Sequence, residues 1–511
     1  MSAGSKKGLW GRVQPWLVWF HRWSGIFVCL LFAIWFASGA ILIFVPFPSL
    51  SAGELDRRAE DIDLSRLRVL PSQVVSSVPG ASRLKLVSVL GEPVYLAGFP
   101  QPMHMNARRT VVPIAPKAIS GETGRAFGPI TATQAEKVAG EFVGSQPVGV
   151  KGPLRYDQWV ISDMYDRFRP FFKVTLSDAR ETEVYVSAVT GQPVQLTTRG
   201  QRFWAWTGAV LHWIYFPPIR QSFALWLRLV WWVSLFALVS ASTGVWLGIY
   251  RSMQSIAKKK SISFFRGWLK WHHTIGVFAF LFVLTWIFSG WLSMDHGYWF
   301  DQGAASESQI AALRGTPLSA IASSVSLSDI RAAAPASEID FEAVDGRAFL
   351  LAVGAGEKPR IWWPMLHTSS VRLPIGELQR GVASAWPGVP ITYRGPASTN
   401  SIYYDSEDLY PNTVQFYLGA PRNTSVYVDS MSGDIVAVVD GSRRAYAWLF
   451  YGLHTLKVPG LIPHPVLRES IELLLLAAGF SLSITGTYLG YRRVRRDLTD
   501  YLQRQRVGVA R

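Results

Sequence analysis

One cysteine occurs in 511 residues, Cys29, and it lies inside an apolar run. That scarcity excludes a disulfide framework, and no C-x-x-C-H motif exists through which a cofactor is attached covalently. Acidic residues are also few, 35 against 51 Lys and Arg, and carboxylates are nearly absent from the longest apolar runs.

Those runs are what the chain has in place of acids and thiols. Length alone would allow about three soluble domains of roughly 100–200 residues. Stretches near 16–45, 223–250, 272–294 and 470–490 exclude that, because each is long enough to cross a hydrocarbon core that needs about 20 helical residues. Many of the 22 tryptophans flank them, among them Trp16, Trp19, Trp23, Trp268 and Trp271, as expected of an interfacial belt in a lipid bilayer.

The net charge of +16 suggests a nucleic-acid footprint until it is located. Nearly all of the excess sits in three short segments: Lys6, Lys7 and Arg12; Arg251 through Lys270; and the tail carrying Arg492, Arg493, Arg495, Arg496, Arg504, Arg506 and Arg511. Such segments stay cytoplasmic. The charge therefore reports topology, no nucleic acid is expected, and both termini are placed in the cytoplasm of a bacterial inner-membrane protein. The two long segments between spans then face the periplasm. A basic N-terminus before an apolar run also fits a cleaved signal peptide, but the repeat described next argues for retention.

The chain contains an internal duplication, which must be found before any fold is inferred. His21-Arg-Trp-Ser-Gly25-Ile-Phe27 matches His272-His-Thr-Ile-Gly276-Val-Phe278, and Ser38-Gly39 matches Ser289-Gly290, at an offset of 251. At an offset of 242, Val184-Tyr-Val186 with Thr190-Gly191 matches Val426-Tyr-Val428 with Ser432-Gly433. The same offset relates Trp206 to Trp448, Leu211-His212 to Leu453-His454, and Thr243-Gly244 to Thr485-Gly486. The first span is retained because its counterpart, the third, is mid-chain.

The expected order is a first span (15–45), a periplasmic domain (46–200), an interfacial segment with the second span (201–250) and a cytoplasmic loop (251–271). A third span (272–294), a second periplasmic domain (295–445), an interfacial segment with the fourth span (446–490) and a basic tail (491–511) follow. Phe172, Val174 and Leu176 alternate with polar residues, as do Val414, Phe416 and Leu418, which predicts half-buried strands. Val184–Val194 reads as a hairpin, and 131–142 and 376–386 have helical spacing. The fold class is therefore a membrane four-span helical bundle carrying two duplicated α+β domains.

Of nine histidines, four occupy equivalent positions: His21 with His272 near the cytoplasmic ends of the first and third spans, and His212 with His454 on the periplasmic side. Haem iron held by the protein alone takes an axial base at one or both faces, and neutral imidazole serves. Small residues accompany the histidines, Gly25 and Gly276 one turn on, and Gly244 and Gly486 at the same depth on the other spans. The reading is two non-covalent haem b groups at two depths, with His21, His272, His212 and His454 as axial ligands to iron. The bland alternative is a polar anchor for each His and small-residue helix packing for each Gly. Duplication at two depths favours ligation, with His272 favoured over His273 by the repeat spacing. His104 in Met103-His-Met105, His296 and His367 have no repeat partners. Arg220 and Arg228 are candidates for an anionic group, and Glu472 for proton relay or pairing with Arg468.

His21-Arg-Trp-Ser-Gly25, the Ser-Gly near the far end of that span, the strand-Thr-Gly-strand of 184–194, Leu211-His212 and Thr243-Gly244 together resemble the PepSY-associated transmembrane family of iron-regulated bacterial proteins. The resemblance covers roughly 15–495. Members include inner-membrane ferric-siderophore reductases of the ferrioxamine type, so the resemblance implies haem in the bundle and reduction of ferric siderophore in the periplasm, releasing Fe(II).

The cytoplasmic segments, about 20 residues each, are shorter than the βαβ unit of about 30 that a nicotinamide or flavin domain requires. Gly354-Ala-Gly356 is an isolated G-x-G. Electrons are thus expected from membrane quinol or a separate donor protein. Two other classes compete: a PepSY-type regulatory or binding protein, which leaves the membrane histidines unexplained, and a metal permease, which calls for carboxylates along the spans.

Overall fold

A computed structural model describes residues 9–100, 114–259, 261–300, 303–354 and 358–509. His104 and most of Gly354-Ala-Gly356 fall outside them.

Among the described residues four helices are long and apolar enough to cross a membrane, with spans at Val13–Leu42, Phe223–Lys258, Gly267–Leu292 and Pro465–Arg504. The first and third begin before their apolar runs and end two or three residues short of them, and the second and fourth continue past theirs into basic residues. Around the bundle the first span neighbours the fourth and second, and the third does likewise. The first and third therefore face each other across the bundle. Its core joins Val28, Phe32 and Phe36 of the first span to Ala237, Ala241, Ala279, Val283, Trp286 and Leu476 of the others.

Among the described residues between the spans lie fifteen strands in three sheets. In the first copy, β1 (Arg83–Val89), β2 (Glu92–Gly98) and β3 (Lys117–Ser120) precede β4 (Pro147–Leu154), β5 (Phe171–Leu176), β6 (Glu183–Ser187) and β7 (Pro193–Thr197). The second copy repeats the pattern with β8 (Glu338–Val344), β9 (Arg347–Val353), β10 (Arg360–Trp363), β11 (Thr368–Ser370), β12 (Ile391–Pro396), β13 (Thr413–Leu418), β14 (Thr424–Asp429) and β15 (Ile435–Val439). Strands β4–β7 form one four-stranded antiparallel sheet and β12–β15 another.

The alternation read in the sequence becomes burial. Phe172, Val174 and Leu176 of β5 and Val414, Phe416 and Leu418 of β13 all point into cores, between partly exposed neighbours. Each fully buried side chain of this size contributes roughly 1.5–3 kcal/mol. The expected helices form at Ala132–Val143, where Thr131 caps the backbone N–H of Gln134, and at Ile375–Ala385; capping of that kind is typically worth about 1 kcal/mol.

The two copies do not stand apart. Strand β1 of the first pairs antiparallel with β8 of the second, Lys85 opposite Asp340, giving a seven-stranded sheet in the order β11-β10-β9-β8-β1-β2-β3. The hairpins β1–β2 and β8–β9 are themselves repeats. Both turn on two residues of positive φ, Leu90-Gly91 and Asp345-Gly346, as a type I′ turn requires. Independent alternation within each copy predicts the strands but carries no signal for this edge-to-edge junction.

Charge gathers at the junction, with Arg314, Asp340 and Glu342 buried. Lys85 pairs with Glu338 at 2.5 Å and Asp340 at 3.2 Å, Arg83 with Asp434 at 2.8 Å, and Arg314 with Glu342 at 2.8 Å. Three cations thus meet four carboxylates. Burial, more than any neighbour, pushes Asp340 up to about 8 and Glu342 up to about 7, whereas Asp434, held by Arg83, lies below its usual value.

Candidate functional site

The bundle holds two histidine pairs. His21 and His272 project from the first and third spans with ring centres 6.5 Å apart and planes at 40°. His212 and His454, at the end nearest the sheets, have ring centres 6.3 Å apart and planes at 71°.

Each imidazole sits on a Ser-Gly or Thr-Gly pair of a neighbouring span. His21 Nδ1 lies 3.2 Å from the Ser240 carbonyl and 3.5 Å from Thr243 Oγ1. His272 Nδ1 is 3.1 Å from Thr485 Oγ1 and meets the Leu482 carbonyl. His212 Nδ1 is 3.1 Å from Ser38 Oγ and meets the Trp35 carbonyl. His454 Nδ1 is 3.1 Å from Ser289 Oγ and 3.3 Å from the Trp286 carbonyl. In every case the carbonyl belongs to the residue three before the hydroxyl.

The following glycine makes room for the ring. A methyl group in place of Gly244 would lie 2.5 Å from His21 Cε1, and in place of Gly486 it would lie 3.2 Å from His272 Cε1; the values at Gly290 and Gly39 are 3.4 Å from His454 and 3.5 Å from His212. Gly244 is thus the floor of an imidazole seat, and Gly486 clears both the His272 ring and Cys29 Sγ, which a methyl would meet at 2.5 Å. Gly25 has only Cys29 Sγ nearby, at 4.0 Å, and Gly276 only Leu482 Cδ1 at 3.4 Å.

The same seats decide the tautomer. Ser38, Thr243, Ser289 and Thr485 each donate their hydroxyl hydrogen to the carbonyl three residues back, at 3.2, 2.8, 3.1 and 2.7 Å. A hydroxyl has one hydrogen, so toward the imidazole it only accepts, as the carbonyl does. Nδ1 must therefore carry the N–H, and the lone pair falls on Nε2, the nitrogen the seat does not use. A ring held at one nitrogen by outer hydrogen bonds is a pre-oriented metal ligand at the other.

Backbone irregularity accompanies the pair near the sheets. A π-helical turn precedes each of these two histidines, Trp206–Val210 and Ala447–Gly452, and two residues after each histidine Ile214 and Leu456 adopt φ of 56° and 47°. Such conformations cost free energy and persist where surrounding structure enforces them. Here they reverse the chain directly after the histidine and return it to the next span.

His273 turns away from the pair, with Nε2 3.1 Å from the Gly248 carbonyl, so His272 is the residue that faces His21. Arg220 is buried against the rings of Tyr215, Phe223 and Trp226 at 4.8–5.1 Å, whereas Arg228 is exposed. Glu472 is buried with Oε1 3.7 Å from Arg468 Nε. His296 packs on Trp231 at 5.2 Å, and His367 is exposed, 3.6 Å from Asp329.

Among the described residues no group of three or more His, Cys, Asp or Glu is placed to hold a metal ion. Two imidazoles alone fall short of the four donors of a tetrahedral site; they suit an ion whose other positions are filled by a macrocycle. The sequence marked the Ser/Thr-Gly pairs as small residues at the right depth, but their work as hydrogen-bonded seats was not read from it.

No curated protein matches the chain. The sequence profile of the PepSY-associated TM region matches residues 18–371. That match covers well over half of the chain and takes in His21, His212 and His272, so the protein belongs to the PepSY-associated TM region family.

Proposed function

We propose that this protein is a di-haem b-type membrane reductase that delivers electrons to ferric siderophore on the periplasmic side. The observation that carries the reading is the spacing of the two pairs. Two metal–imidazole bonds of about 2.0 Å each, with about 1.1 Å from nitrogen to ring centre at either end, would give roughly 6.2 Å between ring centres, against 6.5 and 6.3 Å here.

His21 with His272 would hold one haem and His212 with His454 the other. A haem bound there supplies one-electron iron chemistry. The seats keep each Nε2 unprotonated, so ligation needs no proton loss. Seventeen helical residues separate His21 from Ser38, roughly 26 Å at 1.5 Å per residue, and Phe32, Phe36 and Trp286 pack between the two levels and exclude water.

The basic loop end of the bundle would face the cytoplasm and the sheets the periplasm, with membrane quinol or a separate protein as electron donor. Reduction suits iron release because siderophore oxygens are hard donors matched to Fe(III) and less so to the softer Fe(II). The test is stopped-flow absorbance of chemically reduced protein mixed with a ferric hydroxamate siderophore, with a ferrous chelator present. Reoxidation of the haem band with stoichiometric Fe(II) capture is expected; oxidation by ferricyanide but by no ferric siderophore would leave membrane electron transfer alone.

A further inference from the structure

The duplication supplies an internal control for every polar residue in the bundle. Gly248 of the second span packs on Val277 of the third, where a methyl would lie 3.6 Å from Val277 Cγ2, and the repeat places Gly490 on Ile26 in the same way at 3.1 Å. Beside these matched contacts the copies differ. His273 and Ser252 flank the first, whereas Arg22 and Val494, both exposed, stand at the equivalent positions of the second. Neither helix packing nor the histidine seats therefore require a polar pair here.

Both residues are more than nine-tenths buried, and both end in an atom with no hydrogen-bond partner, His273 Nδ1 and Ser252 Oγ. His273 Nε2 must carry the hydrogen it gives to the Gly248 carbonyl at 3.1 Å, which leaves Nδ1 as a bare acceptor. Ser252 is equally unusual. Ser234, Ser242, Ser481 and Ser483 each donate to the carbonyl four residues back; for Ser252 that carbonyl is Gly248, already taken by His273. Ser252 lies one turn nearer the loop on the same helix face. Phe265 meets the His273 ring edge-on at 5.2 Å, and Ile249 and Met253 beside it are exposed on the outer face. An unmet buried donor or acceptor costs about 1–3 kcal/mol, and the repeat shows that the bundle closes without one.

We propose that His273 Nδ1, Ser252 Oγ and the Phe265 ring form a buried site between the second and third spans for the head group of a hydroquinone. A hydroquinone O–H donates to Nδ1, Ser252 bonds an oxygen of the same head group, Phe265 covers the ring, and the tail leaves between the second and third spans. The site adjoins His272 in the chain and so lies beside the loop-end histidine pair. It deepens the reading of this protein as a membrane reductase by naming where a quinol donor docks.

The test is binding by purified full-length protein of decylubiquinol, followed by tryptophan fluorescence, and photolabelling by an azidoquinone mapped by peptide mass spectrometry. His273→Phe keeps a ring against Phe265 and removes the Nδ1 acceptor together with the N–H given to the Gly248 carbonyl; Ser252→Val copies the other repeat. Each should weaken binding about tenfold, the size of one net hydrogen bond to a buried group, and the label should fall in 245–277. Unchanged affinity in both variants, labelling elsewhere, or a phospholipid that competes equally with the quinol overturns the site. Binding is read without haem: colourless protein that binds quinol through these residues would refute the haem reading and keep this one, and the reverse pattern would do the opposite.

Discussion

Ser38 Oγ stands 3.1 Å from His212 Nδ1 while giving its hydrogen to the Trp35 carbonyl, so hydroxyl and carbonyl together present two acceptors to the Nδ1–H of His212. Replacing Ser38 by Ala leaves the carbonyl as sole acceptor and weakens the hold on Nδ1–H. Less electron density then reaches Nε2, and the midpoint potential of the haem near the sheets should rise. A hydrogen-bond difference of about 1 kcal/mol moves a one-electron couple by about 40 mV. Potentiometric titration of Ser38→Ala, with Thr485→Val as the partner change at the loop end, should show one haem moved in each variant and the other unmoved.

Ligand substitutions should separate into two groups. His21→Ala and His272→Ala should each cost the loop-end haem, and His212→Ala and His454→Ala the haem near the sheets, with total haem falling by about half in every case. Pyridine haemochrome assays on purified protein measure it. Unaltered haem content in all four variants would show the ligand assignment to be wrong.

The glycine seats predict a graded result. Gly244→Ala puts a methyl 2.5 Å from His21 Cε1, whereas Gly290→Ala meets His454 at 3.4 Å, which is ordinary contact. Gly244→Ala should therefore deplete the loop-end haem nearly as fully as His21→Ala, and Gly290→Ala should leave haem content and spectrum close to those of the unaltered protein.

Reporter fusions address orientation. Fusions after residues 120 and 400, both in the sheet-bearing segments, should be active with a tag that works only in the periplasm and silent with one that works only in the cytoplasm. The opposite pattern at either site would reverse the assigned direction of electron flow.

At the junction of the two copies the carboxylates set a pH dependence. Asp340 and Glu342 are raised to about 8 and about 7 by burial, so the fold favours their protonated forms. Their contribution is fully favourable below the ordinary carboxylate range and is lost as pH rises toward 8. Asp434 runs the other way, since its lowered value stabilises the fold above the usual aspartate range and is lost in acid. Asp340→Asn removes one of the four carboxylates facing three cations. It should raise the unfolding temperature at pH 8.5 by a few degrees, about 2–4 °C per kcal/mol for a domain of this size, and by less at pH 5.5. Scanning calorimetry in detergent at the two pH values decides it.

Much of this arrangement was legible in the sequence because it rests on period and repetition. The spans followed from apolar length, the strands from two-residue alternation around Phe172 and Phe416, and the four histidines from their places in the two copies. The seats were half-legible: Thr243-Gly244 and Ser38-Gly39 stood out as small pairs at the right depth, but only the packed helices bring the carbonyl three residues earlier to Nδ1. The β1–β8 junction was not legible. Lys85 and Asp340 are 255 residues apart, and their pairing depends on how two finished hairpins meet. The π-helical turns before His212 and His454 were equally hidden, since a one-residue change of winding leaves composition and spacing unaltered.

Lys85 opposite Asp340 marks more than a strand contact. Because β1 and β8 are repeats that pair antiparallel about this point, the chain has the form of a two-fold homodimer whose subunits have been fused through the basic loop. A half-length ancestor with two spans would bury its edge strand against a second copy and supply one histidine to each shared pair. Such a fusion would release the two halves from having to be identical. Arg22 and His273, or Val494 and Ser252, are such differences: once each half had its own gene sequence, one face of the bundle was able to acquire a polar site while its mate remained a plain helix contact.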